Sequence, residues 1–115
     1  MKWFLCPWDD MFLGVPADRI ERLFIASPQN EEGLSIPQMF HRPVPAPHAA
    51  SLKPKGTILL LPRIDIDLDI PDAEIHAMPR AFGEKSLFAG ACFRNGDLIL
   101  LLNIEEIEKK GNSGD

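Results

Sequence analysis

An Asn-Gly pair at positions 95 and 96 separates two apolar runs in the last third of the chain, residues 87–94 and 97–107. Both central residues of a type I′ turn need positive φ angles, which asparagine and glycine adopt readily. Such a pair between apolar runs is the strongest short-range signal for a β-hairpin. We therefore predict two antiparallel strands joined at Asn95-Gly96, and we expect strands to build the core of this chain.

Other apolar segments predict further strands. Residues 3–8 and 11–15 are expected to form a hairpin with Asp9-Asp10 as its turn, because aspartate tolerates left-handed backbone. Residues 19–26 fit a strand or a short helix almost equally, and we favour a strand beginning near Ile20 after a tight turn at 16–18. The continuous apolar run 57–61 predicts a strand buried on both faces. Residues 63–69 alternate apolar and acidic side chains, which predicts a strand with one face of each kind.

Helical segments should be few and short. Residues 36–40 and 71–75 suit single helical turns, and residues 104–110 suit a C-terminal helix with its lysines at the favourable end of the dipole. Between positions 42 and 56 stand Pro43, Pro45, Pro47 and Pro54. Each proline removes a backbone donor, so we predict an extended surface connection there rather than a central strand. Residues 27–33 and 79–85 should be loops. We expect one domain over residues 1–110 and a disordered tail at 111–115.

Charge and composition exclude some partners. The formal net charge of −5 argues against a nucleic-acid partner, and the close cations Lys53 and Lys55 are predicted to lie in a loop. No run of about 18 apolar residues exists, so we expect no membrane-spanning helix and a cytoplasmic location. Cys6 and Cys92 have apolar neighbours and should be buried free thiols in a reducing compartment. A bridge between them stays possible if their strands are neighbours.

The carboxylates Asp65, Asp67 and Asp69, followed by Asp72, form the one candidate metal-binding series. They have the 1, 3, 5 spacing of an EF-hand loop, but Ile70 replaces the required glycine and His76 the required glutamate. A solvated strand face is the favoured interpretation, with a weak cation site or metal-assisted enzyme as the alternative. No histidine cluster, activated serine or glycine-rich phosphate loop is present. We therefore predict no catalytic residue, no cofactor and no enzyme.

The opening hairpin is rich in aromatic residues: Trp3, Phe4, Trp8 and Phe12. Alternation places Trp3 and Phe4 on opposite faces. We favour core filling for these rings, and a surface for a binding partner is the alternative.

The segments LDIPDAEIHAMP and FAGACFRNGDLILLLNIEEI, together with the opening FLCPWDDMFLGVPADRIERLF, resemble CheW-like domains, the coupling modules of bacterial chemotaxis. The matching positions are Ile70-Pro71, Pro79, Gly90, Asn95-Gly96 and Asn103. The resemblance implies an all-β fold of two small SH3-like barrel halves around a shared core, without catalysis. It also implies an adaptor that docks on a chemotaxis histidine kinase and on a receptor's cytoplasmic tip.

The middle of the chain departs from that family. The family's Asn-Leu-Arg-Gly turn, associated with receptor coupling, is absent between Phe24 and Thr57, and residues 35–40 resemble a remnant of its DL-x-x-L-F turn. A strand is expected to be missing before Thr57. Because a missing strand leaves an uncovered edge, we predict pairing of two copies into a homodimer. The rival hypothesis is a self-associating structural or ligand-binding domain that has lost receptor coupling.

Overall fold

Nine strands in two sheets form most of the structure in the described part of the chain. A computed structural model describes residues 1–26, 33–42, 44–65, 67–77 and 87–112. The strands are β1 (Lys2–Trp8), β2 (Met11–Pro16), β3 (Ile20–Ile25), β4 (Leu34–Ser35), β5 (His48–Leu52), β6 (Ile58–Leu61), β7 (Asp67–Asp69), β8 (Phe88–Arg94) and β9 (Asp97–Leu102). The helices are α1 (Ile36–Met39) and α2 (Ile104–Asn112), with 3₁₀ turns at Ala17–Arg19 and Asp72–Glu74. The fold is all-β, as predicted.

The first sheet joins the two ends of the chain in the order β7-β1-β2-β9-β8. Both predicted hairpins are confirmed: β1 pairs with β2 around Asp9, which has a φ of 54°. Strands β8 and β9 pair around Asn95 and Gly96, whose φ angles are 52° and 84°. Strand β2 then lies parallel to β9, so the N-terminal and C-terminal hairpins form one sheet.

Replacing Gly96 by valine should lower the free energy of unfolding by about 1–2 kcal/mol, because a β-branched residue is strained at positive φ. A Cβ at Gly96 would meet nothing within 4 Å, so the cost is one of backbone conformation rather than steric contact. Urea denaturation measures it. The Asn95→Gly variant is the control and should stay within about 0.5 kcal/mol of the native chain, since glycine tolerates this φ. A harmless Gly96→Val change would contradict the prediction.

The second sheet has the order β3-β5-β6-β4 and corrects the prediction for the proline-rich segment. Residues 48–52 form β5, which lies between β3 and β6 as a central strand. The prolines flank this strand and none lies within it, so its backbone donors are all present. Ala49, Ala50 and Leu52 are fully buried. The expected loss of a strand before Thr57 is therefore also wrong.

Two other strand predictions need correction. Of residues 63–69 only Asp67–Asp69 form a strand; residues 63–65 do not, and Ile66 lies outside the described residues. The backbone N–H of Asp65 nevertheless donates to the carbonyl of Leu5, which ties this segment to β1. In β6, Leu59 and Leu61 are fully buried, but the alternate side chains are only half-buried. The strand is thus fully covered on one face rather than on both.

The short elements follow the sequence predictions closely. Strand β3 begins at Ile20 after a 3₁₀ turn, and α1 is a single turn whose N-cap Ser35 accepts a hydrogen bond from the N–H of Gln38. Helix α2 reaches Asn112, two residues past the predicted end. The first two residues of the predicted disordered tail, 111 and 112, thus belong to this helix, which corrects that prediction. Residues 27–32 of the predicted loop 27–33, the predicted loop 79–85 and the last three residues of the tail lie outside the described residues. No helix among the described ranges is long and apolar enough to cross a membrane.

One apolar cluster lies between the sheets and is the shared core that the resemblance implied. Its buried members come from both sheets and both helices: Cys6, Trp8, Leu13, Val15, Ile36, Leu52, Leu59, Leu61, Leu102, Ile104 and Ile107. A smaller cluster on the first sheet contains Trp3, Leu5, Ile70, Cys92, Ile99 and Leu101. The described strands form one sheet of five strands and one of four, which is compatible with the two small SH3-like barrel halves that we expected.

Candidate interaction surface

The acidic series does not come together as a metal site. The Asp69 carboxylate accepts a hydrogen bond from the amino group of Met1 at 2.9 Å, and this bond lowers the pKa of Asp69. Asp67 lies 3.6 Å from the Lys2 ammonium, and Asp65 pairs with Arg63 at 2.7 Å. Each carboxylate therefore contacts a cation of the protein itself. In the described ranges, no group of three or more histidine, cysteine or acidic side chains is placed to hold a metal ion.

Both cysteines are buried and free, as predicted. Cys6 lies on β1 and Cys92 on β8, and strands β2 and β9 separate them, so the condition for a bridge is not met. Burial raises the pKa of the Cys6 thiol to about 11, because the charged thiolate loses its hydration. Little of this thiol is ionised at neutral pH. Cys6 is therefore a small core residue rather than a nucleophile.

The aromatic hairpin mainly fills the core, as we favoured. Trp3 and Trp8 are buried, whereas Phe4 and Phe12 are half-buried. Trp8 nevertheless lines a surface groove of about 280 Å³. Arg42 lies over its ring, 5.8 Å from the ring centroid, and forms an ion pair with Asp9. This groove thus combines an aromatic side chain with a paired cation.

The four outer strands of the two sheets differ in how their open edges are protected. Strand β7 is three residues long and acidic, and β4 has only two residues. The outer side of β8 is occupied at Ala91, whose N–H and carbonyl exchange hydrogen bonds of 2.9 and 2.8 Å with His76. Strand β3 has six residues, and no described strand pairs with its outer side. Natural proteins normally shorten, charge or cover such edges.

Strand β3 also carries exposed apolar side chains. Ile25 is 67% exposed and Leu23 is 41% exposed. Both lie two residues apart on one face of the strand, opposite Ala50 and His48 of β5. On the other face, the Arg22 guanidinium lies 4.6 Å from the Phe24 ring centroid. The edge therefore presents two apolar side chains to the surface and one stacked cation on its reverse face.

A groove of about 300 Å³ runs beside this edge. Leu23, Ile25 and His48 line it together with Ile64 and Asp65, which precede β7. Ile64 also packs against the shared core, so the groove lies where the core meets the surface. The exposed edge of β3 was not predicted from the sequence. The sequence feature that could have indicated it is the spacing of Leu23 and Ile25 in a strand beside a polar segment. Core residues of a strand have the same spacing, so this pattern does not distinguish an exposed apolar face from a buried one.

Several residues that carried the family resemblance have structural roles. Ile70 is fully buried, and a Cβ at Gly90 would lie 2.7 Å from Ile75 Cγ2. The Asn103 side-chain oxygen accepts a hydrogen bond from the N–H of Glu106, so Asn103 caps α2. Ile70, Gly90 and Asn103 therefore serve packing, close approach of the chain and helix capping. Pro79 lies outside the described residues.

Comparison with known proteins gives an informative match among solved structures. No family model matches the sequence, and neither does any curated protein. Among solved structures, the crystal structure of the scaffolding protein TtCheW from Thermoanaerobacter tengcongensis is similar to this chain, with a TM-score of 0.70. The match covers 89% of this chain and 88% of that chain at 9% sequence identity. The chain therefore has a CheW-like fold.

Proposed function

We propose that this protein is a non-catalytic cytoplasmic adaptor in chemotaxis-type signal transduction. It binds a histidine kinase, the cytoplasmic tip of a receptor, or both. The observation that carries the proposal is the match to a scaffolding protein along almost the whole of both chains. Since fold alone does not imply function, the apolar edge of β3 and the Trp8 groove add support as surfaces suited to protein partners.

A binding experiment with the full chain tests the adaptor proposal. The chain is immobilised and exposed separately to the regulatory domain of a chemotaxis kinase and to a receptor-tip fragment, with a CheW protein as the positive control. We expect saturable binding to at least one of them, and competition by the CheW protein. Binding to neither partner, while the positive control binds both, would refute the signalling role.

A second candidate function is self-association of the same fold without receptor coupling. Two observations favour it: the outer side of β3, with which no strand in the described ranges pairs, and the absence of an Asn-Leu-Arg-Gly sequence between Phe24 and Thr57. Light scattering of the purified chain at micromolar concentration tests this function. A dimer is expected, and a strictly monomeric species would rule it out.

A further inference from the structure

We infer that two copies of this chain associate by antiparallel pairing of their β3 strands, with Leu23 of each copy opposite Ile25 of the other. The inference rests on the second candidate function, self-association, and assigns it to one strand in one register. It does not depend on binding to a kinase or receptor. The evidence comes from the backbone of β3, from its side chains and from its charge.

The backbone of β3 offers hydrogen-bonding groups at its outer side. The N–H of Ala26 donates to the carbonyl of Pro47, which turns the backbone groups of Ala26 toward β5. Because these groups alternate along a strand, those of Phe24 also face β5, and those of Leu23 and Ile25 face outward. A second strand satisfies such groups directly. The two residues with outward backbone groups are the same two with exposed apolar side chains.

Twofold symmetry limits the possible registers. An antiparallel pair of identical strands that keeps each face continuous must be centred on a residue. Centring on Arg22 would place the two Arg22 side chains opposite each other, and like charges there are destabilising. Centring on Leu23 would place Glu21 opposite Ile25, a poor pairing of a carboxylate with an apolar side chain. Centring on Phe24 pairs Leu23 with Ile25 twice and the two Phe24 rings once, so this register is favoured.

Charge also favours a second copy at this strand. The chain has a formal net charge of −5, so two copies repel each other at long range. Strand β3 carries one acidic and one basic residue, Glu21 and Arg22, and is locally neutral. The edge of β7, by contrast, presents Asp67 and Asp69. Two copies therefore approach with less repulsion at β3 than at β7.

The first test compares two lysine substitutions on exposed apolar side chains of outer strands. Ile25 on β3 and Phe93 on β8 are 67% and 66% exposed, so Phe93→Lys is a matched control for Ile25→Lys. We expect Ile25→Lys to weaken the dimer at least about 30-fold in sedimentation equilibrium, the loss expected for a central interface residue. Phe93→Lys should leave the dissociation constant unchanged. Circular dichroism confirms that both variants remain folded.

The second test reads the register by disulfide formation. In the inferred dimer, the two Phe24 positions are a directly opposed pair with Cα atoms about 4.5 Å apart, within the range of a disulfide. The two Leu23 positions are diagonal neighbours about 7–8 Å apart, too far for a bridge. Under mild oxidation, Phe24→Cys should form a covalent dimer and Leu23→Cys should not. The native cysteines are buried and serve as the background.

A mixing experiment covers the case in which Phe24→Cys does not fold. Chains with Leu23→Cys and chains with Ile25→Cys should cross-link when mixed, and neither should cross-link alone. Self-cross-linking of Leu23→Cys would overturn the inferred register, and a dimer that survives Ile25→Lys would overturn the choice of strand. In both cases self-association itself would stand. A monomer at all concentrations would overturn the inference and the second candidate function together.

Discussion

Replacing Glu108 by alanine is expected to lower the free energy of unfolding by about 2–3 kcal/mol, since buried hydrogen-bonded carboxylates are costly to remove. Glu108 lies on α2 and is 3% exposed. It accepts hydrogen bonds from the Arg19 guanidinium at 3.3 Å and from the Thr57 hydroxyl. Arg19 precedes β3 and Thr57 precedes β6. The Glu108 carboxylate therefore joins the C-terminal helix to the starts of two strands of the second sheet.

The size of this effect follows from what Glu108→Ala leaves behind. The Thr57 hydroxyl loses its partner, and Arg19 loses its counter-charge. Arg19 still donates to the carbonyl of Lys53 at 2.9 Å and keeps partial contact with water, so the loss stays below that of a fully buried ion pair.

Urea denaturation with two further variants checks the interpretation. Glu108→Gln keeps the shape and the bond to Thr57, so it should cost only about 1 kcal/mol. Glu105→Ala is the matched control, because Glu105 is exposed on the same helix, and it should change stability by less than about 0.5 kcal/mol. Equal effects at Glu105 and Glu108 would show that the helix propensity of α2, and not the buried carboxylate, is what matters.

The Ile107→Ala variant should lose about 2–5 kcal/mol of stability, the range for truncating a fully buried aliphatic side chain. Ile107 is completely buried in the shared core, where side chains of both sheets meet. The two sheets pack there against α2, so neither can close the cavity without moving the other. We therefore expect a value in the upper part of this range.

Thermal and urea unfolding of Ile107→Ala provide the measurement. Ile107→Val removes less volume and should cost only about 0.5–1.5 kcal/mol. Phe93→Ala is the control for truncation of a large apolar side chain, because Phe93 is mostly exposed, and it should be close to neutral. A small loss for Ile107→Ala would mean that α2 contributes little to holding the two sheets together.

Much of the fold was predictable from local patterns. Asn95-Gly96 and Asp9-Asp10 define two hairpins because their conformational preferences are local properties of the backbone. The start of β3 at Ile20 was also predicted, from the tight turn before it, and the single turn of α1 from its apolar residues. Strand β5 was missed, because the prolines on both sides suggested an exposed connection. What matters for a strand is whether a proline lies within its ladder, and residues 48–52 contain none.

The candidate interaction surface was only partly predictable. A missing partner strand was expected before Thr57, in the middle of the chain, but that position holds a central strand. Among the described strands, the long edge without a partner is instead that of β3, which was predicted only as an ordinary strand. Which strand becomes an edge depends on the pairing order, and that order joins residues far apart in the chain. Periodicity describes the faces of a strand and carries no information about its neighbours.

By itself, the sequence determined most of the strands, their main turns and the helical C-terminus, because turn chemistry and apolar periodicity act over a few residues. Only the tertiary structure decided that β2 lies parallel to β9, that Glu108 joins Arg19 to Thr57, and that no described strand pairs with the outer side of β3. These features depend on contacts between distant segments, whose geometry is set by packing around the shared core. The Asn-Gly hairpin illustrates the difference. Its turn is determined by local residues, but its position beside β2 depends on contacts between distant parts of the chain.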